Sequence, residues 1–169
     1  MINHAQSLQD PFALLVRAQR RYMEISGQVT ERCAVFHATL AATPELGEKG
    51  SLARSVITGI DHARQRRRAR EIGVSVAPLA AHAAKIHHEC LIIAQDCLLS
   101  SHNSLHRFRE VLAGADPASV ERIAVSLAAS VAALRQAIAN IDTVIATDSQ
   151  RALQIKCAAA NVARLAQLV

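Results

Sequence analysis

The stretch Asp116–Thr147, DPASVERIAVSLAASVAALRQAIANIDTVIAT, decides the fold. Its large apolar residues stand at Val120, Ile123, Leu127, Val131, Leu134, Ile138, Ile141 and Ile145. Alternating steps of three and four put them on one face of a helix packed in a bundle or coiled coil. Asp116 is a good N-cap, and Pro117 at the first helical position gives up no needed N–H. Just upstream, Gly114 ends another striped run: Leu79, Ala83, Ile86, Cys90, Ile93, Cys97, Leu98 or Ser101, Leu105, Phe108 and Leu112.

The same reading extends outward. Asp10-Pro11 opens a helix with Phe12, Leu15, Tyr22, Ile25, Val29, Cys33, Phe36 and Leu40 on one stripe, ending at Thr43-Pro44. Thr43 to Ser51 reads as the first loop. A shorter helix follows with Leu52, Val56, Ile60 and Ala63 as its seam, and Gly73 is a fitting C-terminal stop. After Thr147-Asp148-Ser149 a last helix carries Leu153, Cys157, Val162, Leu165 and Leu168, either continuous with its predecessor or kinked from it. The expected fold is all-α: one domain over 1–169, an elongated up-down antiparallel bundle of four to five helices. The expected helices cover about 11–42, 51–72, 76–113, 117–147 and 150–168.

Composition excludes several function classes. Apolar residues make up 51% of the chain and charged residues 20%, too apolar for a disordered tail. Aromatics are only 2%, with no Trp, which leaves nothing to build a base-stacking platform and little to line a usual ligand pocket. The four cysteines are widely spaced without a CxxC, so free buried thiols in a reducing, cytoplasmic compartment are expected. Met1 to Pro11 lacks a basic segment followed by an apolar run, so no signal peptide is expected. Unbroken apolar runs such as Cys90–Ile93 and Val144–Ala146 are core-sized, so no transmembrane segment is expected.

Net charge is +5, with sixteen arginines against three lysines. Arg64, Arg66, Arg67, Arg68 and Arg70 concentrate it in HARQRRRARE. Such a run attracts phosphates, acidic protein or anionic lipid; it also suits a solvated helix end, where cations meet the helix dipole. Were the first two helices an antiparallel pair joined by the first loop, Arg17, Arg20 and Arg21 would lie beside this run and extend it into one anion-binding patch.

The histidines and cysteines offer a metal- or haem-binding alternative. Cys33 with His37, and His102 with His106, stand four apart; His87 and His88 share the third expected helix. No ExxH, HExxH, CxxC or CxxCH accompanies them, and Cys33 falls on an apolar seam. No metal and no cofactor is therefore favoured. His62 has Gln65 and Arg66 where a phosphotransfer histidine wants Lys and a small residue. Ser100, Ser101 and Ser104 lie near histidines without a glycine-rich elbow or oxyanion turn. No catalytic residue is assigned, and the protein is expected not to be an enzyme.

The helix at 117–147 is also alanine-rich off its seam, at Ala124, Ala128, Ala129, Ala132, Ala133 and Ala137. A face broader than one seam invites a neighbouring helix. Size, alanine enrichment and amphipathic helices resemble those of small bacterial helical-bundle proteins such as secretion chaperones and granule-coating phasins, with no motif to carry residues over. The reading is a non-enzymatic helical-bundle interaction, adaptor or chaperone-like protein acting by helix-face docking and self-association, as a homo-oligomer or with a partner protein. The alternatives are an anion binder, using the arginines, and a metal- or haem-binding bundle.

Overall fold

A computed structural model describes residues 11–42 and 52–168, apart from the side chains of 52–58 and 123. The described residues are helical almost throughout and contain no strand. The expected all-α class is thus observed, but the described helices are three: α1 (Pro11–Ala41), α2 (Leu52–Gly114) and α3 (Pro117–Leu168). The expected first loop at Thr43–Ser51, the seam residues Leu52 and Val56, and Ile123 lie outside the described residues or side chains.

The lower helix count follows from heptads that run through the expected breaks. On α2 the buried residues His62, Ala69, Val76, Ala83, Cys90 and Cys97 follow one another at intervals of seven. Neither Gly73 nor Pro78 interrupts them. A proline inside a helix costs about 3 kcal/mol through its missing N–H and its clash with the preceding turn. Here the stripe is buried on both sides of it. The expected seam at the start of this helix is corrected: Ile60 is 58% exposed and Ala63 is exposed, while His62 and Ala69 face inward.

On α3 the buried stripe is Ile141, Asp148, Ile155 and Val162, again at intervals of seven. The pattern break at Thr147–Ser149 is therefore a polar residue in a core slot, and the helix continues. Downstream, Ile155, Ala159, Val162 and Ala166 are buried, whereas the expected Leu153, Cys157 and Leu168 are exposed. The α1 stripe holds as read, with Leu15, Tyr22, Val29 and Phe36 buried at the same interval.

The chain divides into two compact units, each drawing on all three helices. The first comprises Met1–Arg20 and His87–Gln150. Its core cluster joins Leu15, Ala94, Cys97 and Ile141, with Phe12, Ile93, Leu98 and Ile145 packed against it. A tight turn joins α2 to α3, where Ala115 N–H donates to the Leu112 carbonyl at 3.4 Å. Asp116 caps α3 as expected: Ser119 N–H donates to its Oδ1 at 3.0 Å, and the Ser119 hydroxyl donates to Oδ2. The two bonds from Ser119 hold the Asp116 carboxyl below the usual range.

The second unit comprises Arg21–Ile86 and Arg151–Val169. Phe36 meets Gly73 and Arg32 Nη1 donates to Ser75 Oγ at 3.3 Å, so α1 and α2 are antiparallel here. Arg151 lies level with Met23, and Gly73 also abuts Ala166, so α1 and α3 run parallel. A Cβ placed on Gly73 would stand 2.5 Å from the Ala166 Cβ and 3.2 Å from the Phe36 ring. Gly73 is therefore a point of close approach of three helices, the opposite of the expected stop.

Candidate docking surfaces

The first unit changes character along its length. Near Leu15 three helices surround the core. Farther along, the described residues of the hairpin are those of α2 and α3. Of the described side chains between residues 102 and 140, none is buried. Leu105, Phe108, Leu112, Leu127, Val131, Leu134 and Ile138 are half-buried. Val111 is 63% exposed.

A groove on this hairpin is lined by Ser104, Arg107, Phe108, Val111, Ser130, Ala133 and Leu134. Its walls are apolar, and Arg107 is the only charged residue among them. Within α3 the segment Ala124–Leu168 is long and apolar enough to cross a membrane by length and composition, and most of its apolar window is exposed. The expectation of no such segment rested on unbroken runs; averaged over a longer window, the alanines carry it past that measure.

In the second unit a groove of about 640 Å³ lies between α1 and α3. Its floor is Val29, Ile155 and Ala158, and Met23, Gly27, Thr30, Gln154, Glu31 and Arg151 surround it. The Arg151 guanidinium rests on the Met23 thioether. Ser26 Oγ lines the same groove, buried and without a hydrogen-bond partner. Thr30, by contrast, satisfies its hydroxyl on the Ser26 carbonyl at 3.0 Å.

The predicted arginines are all exposed. Arg64, Arg66, Arg67, Arg68 and Arg70 lie in the second unit, beyond the Phe36–Gly73 contact toward the C-terminal end of α1. Arg67 Nε pairs with Glu71 at 3.0 Å, an exposed pair worth little to stability. Arg17 and Arg20 belong to the first unit, and Arg21 opens the second at the opposite end of its α1 segment from Phe36. Within the second unit, therefore, Arg21 and the run Arg64–Arg70 stand toward opposite ends of α1, and Arg21 does not extend the patch there. The expectation set the run level with Arg21 by counting back from the first loop, whereas the Phe36–Gly73 contact carries it past Phe36.

The metal candidates are divided between the two units. Cys33 is buried in the second unit, and burial pushes its thiol up; His37 is exposed beside it in sequence, edge-on to Phe36 with ring centroids 5.5 Å apart. In the first unit His87 is half-buried, His88 and His102 are exposed, and His106 faces Glu110 at 3.5 Å. Among the described residues no three His, Cys, Asp or Glu converge as a metal site would require. His62 is 6% exposed, and neither ring nitrogen has a hydrogen-bond partner, so it lacks the open face a phosphotransfer histidine needs.

The residues missed in the sequence are polar groups in core slots. Asp148 is 2% exposed and electrostatically coupled to His87, whose imidazole burial pushes down and whose Asp148 neighbour pulls up. Counting by sevens from Ile141 finds Asp148, and counting from Val76 finds His62. Comparison with known protein families, with curated proteins and with solved structures yields no match.

Proposed function

We propose that this protein is a non-enzymatic docking protein whose α2–α3 hairpin receives an amphipathic helix from a protein partner. One observation carries the reading: over residues 102–140 the heptad seam continues, but no described side chain on it is buried. Each large apolar side chain that passes from half-exposed to buried gains on the order of 1 kcal/mol. A third helix laid along the groove supplies that burial over several turns, the helix-in-groove mode of recognition. Arg107 among apolar walls favours a helix carrying a carboxylate beside its apolar stripe.

The test is site-specific photo-crosslinking from Val111 and from Ala133 in the intact protein, with the adduct identified by mass spectrometry. The expected adduct maps to one amphipathic helix and is lost in Leu134→Glu, with the far-ultraviolet spectrum unchanged. Adducts no more frequent than from exposed Arg122 on the same helix, or insensitive to Leu134→Glu, refute the reading.

The five exposed arginines favour a second reading, an anionic partner. Only Arg67 has a carboxylate partner among the described residues. Binding of a short duplex DNA across a salt series tests it, since phosphate contacts weaken steeply as salt rises. Affinity unchanged in the Arg66→Gln, Arg67→Gln, Arg68→Gln triple variant removes it.

A further inference from the structure

The groove between α1 and α3 in the second unit has a charge order that selects its occupant. Arg151, level with Met23, stands at one end, and Glu31 at the other. They are the only charged residues lining it. The eight residues from Met23 to Glu31 set the ends about 12 Å apart along the helix. A positive end and a negative end complement the same groove only when the second copy is reversed. We propose that this groove is a self-association surface, on which a second copy of the chain seats antiparallel about a two-fold axis at Gly27. Arg151 of each copy then lies level with Glu31 of the partner subunit.

Gly27 supplies independent support. It stands midway between Met23 and Glu31, and a Cβ added there meets nothing within 4 Å. Its own chain therefore does not require glycine, unlike Gly73, where Ala166 and Phe36 press on the vacant position. Glycine inside a helix is about 0.5–1 kcal/mol worse than alanine. On the two-fold axis it meets the partner's Gly27, and the lack of both side chains lets the helix backbones approach. An isologous contact makes each favourable pair twice.

Exposed Met23 and half-buried Ala158 supply the apolar contact over a floor of Val29 and Ile155. This inference rests on the reading of the protein as one that works by helix-face docking, and names one partner and one face.

The test is the mass of the full-length protein in solution, by sedimentation and light scattering from 1 to 100 μM (about the range over which such an interface assembles). A dimer is expected. Glu31→Arg and Arg151→Glu should each weaken it about tenfold, since either reversal turns two attractions into two repulsions. Together they should restore it. Gly27→Leu should give a monomer with unchanged helicity. A wild-type monomer throughout the range overturns the inference, as does a dimer in which the double reversal is no tighter than the singles. A dimer that Leu134→Glu dissociates and the reversals leave intact assigns self-association to the hairpin; it overturns this interface and leaves the docking reading standing.

Discussion

Replacing Gly73 by alanine sets two effects of opposite sign against each other. By helix propensity alone, alanine in the middle of α2 gains up to about 1 kcal/mol. The geometry opposes it. The new methyl carbon would stand 2.5 Å from the Ala166 Cβ and 3.2 Å from the Phe36 ring. Ordinary carbon–carbon contacts lie near 3.5–4.0 Å, so α3 must move about 1 Å away from α2. Neither neighbour is the end of a flexible chain: Ala166 is held by its helix backbone, and Phe36 is fully buried. Overpacking of this kind costs about 1–3 kcal/mol, so the net expectation is a loss of roughly 1–2 kcal/mol after the propensity gain. For a chain of this length, that lowers the melting temperature by about 2–8 °C.

The comparison is Gly59→Ala, where an added Cβ meets nothing within 4 Å and only the propensity gain remains. Thermal unfolding followed by circular dichroism should move the two variants in opposite directions. Adding Ala166→Gly to Gly73→Ala removes the clashing methyl and should recover most of the loss. Equal stabilisation by Gly73→Ala and Gly59→Ala would refute the three-helix register in the second unit.

Two further outcomes follow from the buried groups. Burial holds the His87 imidazole below its ordinary value, with Asp148 pulling partly the other way. Above about pH 6.5 the group is neutral folded and unfolded; as pH falls below that, the unfolded chain takes up the proton first and stability drops until the folded imidazole also protonates. Urea midpoints across pH 7 to 5 should therefore fall more steeply in the wild type than in His87→Gln, and parallel curves would contradict the assignment. Among the cysteines, Cys157 is exposed while Cys33, Cys90 and Cys97 are buried. A thiol reagent should label Cys157 in the folded protein and the others only on unfolding, Cys33 being further protected by its raised pKa; fast labelling of Cys33 would show that the second core opens.

Much of the proposed docking surface was legible in the periodicity. The stripe from Val120 to Ile145 and its partner from Ala83 to Leu112 were visible as seams, and the alanines off the α3 seam signalled a broad face. The half-exposure of their stretch over residues 102–140 was not legible, because it depends on which helices pack against the hairpin. The groove in the second unit was legible only as a glycine inside a helix. Glu31 and Arg151 lie far apart in the sequence, and only the parallel packing of α1 and α3 sets them at the two ends of one surface.

Sequence alone determined the helical class, the α1 stripe through Leu15, Tyr22, Val29 and Phe36, and the start of α3 at its Asp116 cap. These are local matters, decided by contacts three or four residues apart and by the first unpaired N–H groups of a helix. Tertiary structure decided that α2 passes through Gly73 and Pro78, and that α3 passes through Asp148. Glycine stops a helix when solvent competes for the backbone and admits a neighbour when another helix presses close. Ala166 and Phe36, remote in the chain, choose between the two. Likewise, Asp148 occupies a core slot between Ile141 and Ile155 because burial belongs to the register among the helices, which holds a polar residue inside when the apolar turns on either side are already seated.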